Sequence, residues 1–133
     1  MKNPFQKGDK KLYIKTVQQS EIATFASGTV HAFYATFALA KDAEWSTRLF
    51  VLDMKDDDEE GIGTFIEVQH LAPALAGEIV EFIATLELVT GHEVICSFEA
   101  NAGNRKIAIG RTGQKILKKE KLERKITSIS ANK

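Results

Sequence analysis

Residues 34–54 read YATFALAKDAEWSTRLFVLDM, followed by KDDDEE at 55–60 and GIGTFIEVQHLAP at 61–73. The first of these stretches decides the fold. Ala35, Ala38, Leu39, Ala40, Ala43, Leu49 and Leu52 are good helix formers, and no Gly or Pro interrupts them. The pattern predicts one long helix over about 35–54. Its first turns, FALA, are apolar nearly all round, as expected of a helix covered on more than one side. The last stretch predicts a strand with Ile62, Thr64, Ile66, Val68 and His70 on one face. Phe65, Glu67, Gln69 and Leu71 take the other. From Pro73 onward the chain alternates like a β-sheet, so this single helix must cover the whole sheet.

Outward from that centre, composition bounds the class. The chain has 133 residues, enough for one domain spanning 1–133, and 44% are hydrophobic. Lys plus Arg and Asp plus Glu both number 18, giving zero formal net charge. A neutral chain has no general attraction for nucleic acid or an anionic membrane, so neither is an expected partner. Zero net charge also does little to oppose self-association. Cys96 is the one cysteine, so no intramolecular disulfide forms. MKNPFQKGDKK at the start lacks an apolar core of signal length, and no apolar run is long enough to span a bilayer. A soluble cytoplasmic protein is the expectation.

Along the chain, residues 1–10 are expected to be irregular. Lys11–Val17 alternates as a strand. In Gln18–Gly28, Ser20 is a candidate cap for a short helix containing EIATFA, ended by Ser27-Gly28. Thr29–Tyr34 reads as a short strand or as an approach to the long helix. Asp56–Glu60 reads as a solvated, mobile acidic loop without the ligand spacing of a cation site. Ile79–Val89 is a strand with Val80, Phe82, Ala84, Leu86 and Leu88 on one face. Thr90-Gly91 turns into His92–Ala100, with Val94, Cys96 and Phe98 inward. NAGN at 101–104 turns into Arg105–Leu117, where Gly110 and Gly113 suggest bulges or close backbone approach. KKEKLERKI is a charged extension, and residues 127–133 are expected to fray. The order is strand, one long helix, then four antiparallel strands, an α+β domain. A curved antiparallel sheet wrapped around one long helix is the hotdog arrangement.

Several side chains carry chemistry, each with a plainer reading beside it. His70 shares an apolar strand face with Ile66 and Val68; it is either a satisfied core histidine or an acid–base group. Glu44 lies four residues before Arg48, so it is either a surface ion pair or a buried base or nucleophile. Thr36 precedes Glu44 by eight residues, which puts the two side chains roughly 80° apart around the axis and ~12 Å apart along it. They can line one groove without touching. Thr36 is otherwise an ordinary first-turn threonine. His31 and His92 are weaker candidates, and Cys96 reads as core. The chain has no nucleophile elbow, P-loop, dinucleotide fingerprint or zinc-spaced Cys/His set.

YATFALAKDAEW, GIGTFIEVQHLAPALAG and the strand ending IGRTGQKIL resemble the hotdog-fold thioesterases of the fluoroacetyl-CoA thioesterase-like kind, over roughly Tyr34 to Leu117. The most specific elements are Gly63, Thr64, His70, Pro73 and Gly77. The resemblance implies Thr36, Glu44 and His70 as the catalytic set. It places Gly63, Phe37 and Gln114 at the substrate, Gly63 beside the acyl pocket. Phe37 stands where the family has glycine, and Gln114 where it has arginine. It further implies a homodimer or higher homo-oligomer with each site between helix and partner sheet, acting on an acyl-CoA or other acyl thioester. Coenzyme A would then be part of the substrate, with no separate cofactor and no metal. Two other readings stand beside this one: a non-catalytic acyl-CoA-binding module on the same fold, and a hydratase-type hotdog.

Overall fold

The computed structural model describes residues 1–132. Five strands form one antiparallel sheet in the order β1 (Lys10–Thr16), β5 (Ile79–Thr90), β6 (Glu93–Ala102), β7 (Arg105–Lys118), β4 (Glu59–His70). The helix α1, Thr36–Met54, touches all five, so the sheet curves around it. This is the α+β hotdog arrangement. Two apolar clusters fill the space between. One joins the first half of α1, Leu39 and Ala43, to Val80, Phe82, Phe98 and Ile107. The other joins Phe50, Val51 and Met54 to Leu86, Val94, Cys96 and Ile116. Burial, with Glu87 nearby, pushes the Cys96 thiol up to about 12.

Between the clusters runs a polar belt. Ser46, Thr47, Thr112 and Gln114 are all buried. Thr112 donates to the Thr47 hydroxyl at 2.8 Å and Gln114 Nε2 donates to it at 3.2 Å, while Thr47 donates to the Glu44 carbonyl at 2.9 Å. Each buried hydroxyl here has a partner, as burial demands.

Several expectations are corrected. Gln18–Gly28 is not a short helix. A single 3₁₀ turn, Gln19–Glu21, leads into β2 (Ile22–Phe25), which pairs antiparallel with β3 (Gly28–Tyr34). The Gln18 N–H donates to the Glu21 carboxylate at 2.8 Å, so Ser20 does not cap. Gly28 has φ 110°, which suits the tight hairpin.

The acidic run is not one solvated loop. Only residues 56–58 lie in the turn; Glu59 and Glu60 open β4. Glu59 is buried against the Met1 ammonium at 2.7 Å, and Glu60 pairs with Arg48 at 2.5 Å. Paired carboxylates can enter a sheet where five unpaired ones would not. Among the described residues no cluster of His, Cys, Asp and Glu is arranged to hold a metal ion.

The expected face of β4 is also corrected. A bulge at Thr64 shifts the register between Gly63 and Phe65. Before the bulge Gly61 and Gly63 face the helix; after it Val68 and His70 do. One extra residue thus swaps the faces, and Ile62 and Thr64 do not share the inner face with His70. A similar shift after Leu86 leaves Leu88 55% exposed. Gly110 and Gly113 mark close approach: a Cβ there would meet the rings of Phe98 and Phe65.

No strand or helix precedes Lys10, yet that segment is docked. Phe5 packs edge-on against Phe50 at 5.0 Å, and the Lys2 and Gly8 N–H groups donate to Met54 and Leu86. At the other end α2, Lys119–Ala131, continues as helix past Thr127, where fraying was expected. Residue 133 lies outside the described residues. Among the described residues no helix is long and apolar enough to cross a membrane.

Candidate active site

Strand β3 runs directly into α1, with Ala35 extended at φ −69°, ψ 142° and no side chain capping the helix. The junction is fixed from behind instead. Tyr34 N–H donates to Ala74 and Ala35 N–H to Glu21, both at 2.8 Å. The buried Tyr34 hydroxyl donates to Asp42, and Lys15 pairs with Asp42 at 3.0 Å and with Glu21. Burial and the Asp42 carboxylate push the Tyr34 hydroxyl well above its ordinary pKa, so it stays protonated as the donor. Asp42 was missed in the sequence reading. Its signal is an acid between Leu39 and Ala43, on the buried side of the helix.

This brace aims the uncapped first turn of α1 at the end of β4. There Thr36 Oγ1 lies 3.0 Å from His70 Nδ1. The other ring nitrogen, Nε2, is buried without a hydrogen-bond partner. Burial pushes the His70 pKa below its ordinary value; the nearby Ala72 backbone opposes that shift and His31 reinforces it. Burial thus favours the neutral ring. A buried polar atom without a partner is rare and costly, so Nε2 is the unsatisfied polar group of this hollow.

Thr36 and His70 line a cavity of about 430 Å³ with Phe37, Phe25, His31 and Phe33. Glu44 lies elsewhere on the helix, against β4. A Cβ on Gly63 would stand 2.6 Å from Glu44 Oε1, so the carboxylate occupies the space that glycine vacates. Glu44 and Gly63 line a second cavity of about 250 Å³ with Thr64, Phe65 and Ile66. The structure thus joins Thr36 to His70 and Glu44 to Gly63, in two separate hollows that share no lining residue. Of the two readings of Glu44, the ion pair with Arg48 is absent: Arg48 bonds to Glu60 and to the Gly61 carbonyl. Among the described residues Glu44 has no ion-pair partner. Gln114 is only 2% exposed and donates to Thr47 rather than lining either cavity, so it does not meet a substrate there as expected.

The fold is a hotdog domain whose central helix begins at Thr36, opposite His70 on the facing strand. The chain matches the model of the fluoroacetyl-CoA-specific thioesterase family over residues 17–120, and it belongs to that family as a thioester hydrolase. A Thermus thermophilus protein described as a thioesterase superfamily member is 34% identical, with TM-score 0.92 over 97% of this chain and 96% of that one. A hot-dog-like protein from Thermanaerovibrio acidaminovorans is 23% identical, with TM-score 0.84 over 93% and 92%. A variant of the fluoroacetyl-CoA-specific thioesterase FlK is 21% identical, with TM-score 0.85 over 96% and 98%. The last two likenesses concern the fold. A search among curated protein sequences finds no match.

Proposed function

We propose that the protein hydrolyses acyl-CoA thioesters, with Thr36, Glu44 and His70 as its catalytic set and no cofactor beyond the coenzyme A of its substrate. The observation that carries this is the unpartnered His70 Nε2 beside the uncapped N-terminus of α1. Backbone N–H groups of that first turn suit a thioester carbonyl oxygen, because a helix N-terminus favours developing negative charge. Solved relatives support the substrate class, since FlK forms include complexes with acetyl-CoA and with fluoroacetate and CoA.

In this mechanism Glu44 takes a proton from the attacking water as the new C–O bond forms. The C–S bond breaks and that proton passes on to the thiolate, restoring the carboxylate. Thr36 donates to His70 Nδ1 and so holds the neutral tautomer with hydrogen on Nε2. That N–H stabilises charge at the reacting carbonyl or sulfur, as a neutral histidine can.

The active unit is a homodimer. Strand β4 forms an open edge of the sheet, twelve residues long, and Ile62 and Ile66 on it are exposed. An edge of that length invites pairing with a second copy.

Kinetics over a panel of acyl-CoAs test the whole reading. Glu44→Ala should abolish turnover, and His70→Ala should lower it by roughly 10²–10³-fold, the cost of losing one donor to developing charge. Light scattering should give a species larger than 14.7 kDa. A Glu44→Ala variant as active as the parent refutes the mechanism. A monomer with full activity refutes the shared site.

A further inference from the structure

We propose that the acyl group taken at the Thr36–His70 cavity is uncharged and aromatic, a group of phenylacetyl size rather than acetyl. This inference rests on the thioesterase reading above and fixes the acyl class. Size is the first observation. The cavity holds about 430 Å³, within the ~300–1,000 Å³ of sites that enclose drug-sized molecules, whereas one water takes ~30 Å³. An acetyl group would leave most of it unfilled.

The walls are the second. Phe25 from β2 and Phe37 from α1 meet edge to face, 5.7 Å between centroids at 71°. Phe33 forms another side. The small side chains Ala23, Ala35 and Ala72 leave the room between these rings. Aromatic pairs favour centroid separations of ~4.5–7 Å in offset or edge-on geometry, and gain beyond simple burial. A flat aryl group can join that arrangement; a saturated ring of equal size only fills space.

Charge is the third. No Asp, Glu, Lys or Arg lines the cavity. Its polar side chains are Thr36, His70, His31 and Tyr34, and the Tyr34 hydroxyl is already given to Asp42. A carboxylate at the far end of the acyl group would lose water and find no cation, so dicarboxylic acyl groups are disfavoured.

The probes are acetyl-, succinyl-, cyclohexylacetyl- and phenylacetyl-CoA, with ketone analogues of the acetyl and phenylacetyl thioesters in which a methylene replaces sulfur. Phenylacetyl-CoA should exceed acetyl-CoA in kcat/KM by more than ~10-fold, since one methylene in an apolar pocket already gives ~10–200-fold. It should exceed cyclohexylacetyl-CoA by about 2- to 10-fold, and Phe37→Leu should bring that ratio close to one. Calorimetry with the ketone analogues reads the preference without turnover: the phenylacetyl form should bind at least ~10-fold tighter. Equal binding of the two ketones, or succinyl-CoA as the best substrate, overturns the inference. If no thioester is hydrolysed, the thioesterase reading fails while the ketone affinities still decide the acyl class.

Discussion

Replacing Gly63 by alanine adds one methyl group where the structure leaves room for a carboxylate. The new Cβ would stand 2.6 Å from Glu44 Oε1, so the oxygen must withdraw by about 0.8 Å to reach the 3.4 Å of ordinary contact. The obstacle is the end of a flexible side chain. The structural cost is thus of the order of one displaced rotamer, ~0.5–1.5 kcal/mol. The catalytic cost is larger, because misplacing a reacting group by about 1 Å can lower a rate ~10²-fold. Gly63→Ala should therefore lose roughly 10- to 100-fold in kcat while melting within several degrees of the parent, as ~1 kcal/mol shifts a domain of this size by about 3–6 °C. Gly61→Ala is the matched comparison. Its Cβ would meet Val51 Cγ1 at 2.6 Å and Arg48 Nη1 at 3.2 Å. A core methyl cannot withdraw, so overpacking there should cost ~1–3 kcal/mol of stability. Steady-state kinetics and thermal melts on both variants separate the two effects. Full kcat in Gly63→Ala would refute the claim that Glu44 works from its seat over that glycine.

His70 should leave a mark on the pH dependence of stability. Its folded pKa lies below the ordinary value of 6.5, so the unfolded chain binds the proton first as pH falls. Stability is complete above about 6.5 and declines below it toward the folded pKa; this part of the decline should vanish in His70→Gln, read by melting at a series of pH values. Asp42→Ala should destabilise by ~1–3 kcal/mol, since it strips the partner from the buried Tyr34 hydroxyl while Lys15 keeps Glu21. A urea titration showing a loss under ~1 kcal/mol would refute the bracing role of this cluster.

The long helix was legible because nothing competes with it: an unbroken run of helix formers needs no tertiary help to be read. The strands from Ile79 onward were legible because period-2 alternation survives wherever one face is buried. What failed were places where a single residue changes the register. The bulge at Thr64 exchanges the faces of β4, and no local pattern announces it, since Ile62, Thr64 and Ile66 alternate just as an unbroken strand would. The β2–β3 hairpin was obscured by Ser20 and Ala23, which suit a helix locally, while its strands are held by packing and by Gly28. His70 was placed rightly on the helix side because the residues after the bulge keep their own alternation. Its pairing with Thr36 needed the chain to fold back over thirty-four residues, a distance that spacing within one element cannot express.

Glu44 shows how a local rule can be correct in kind and still lose. A glutamate four residues before an arginine is worth ~0.3–0.5 kcal/mol on an open helix. Here Arg48 has better offers: the Glu60 carboxylate at 2.5 Å and the Gly61 carbonyl at 3.2 Å, both at the start of β4. Those contacts tie the helix to its facing strand, a gain that an ion pair within one helix cannot supply. The acidic run, read from sequence as a solvent-facing loop, is therefore what occupies the arginine. With Arg48 engaged, the Glu44 carboxylate is left without a cation, turned toward the gap at Gly63. The residues that close the β4 edge onto the helix thus also leave the proposed base free, which ties the start of the strand to the chemistry farther along it.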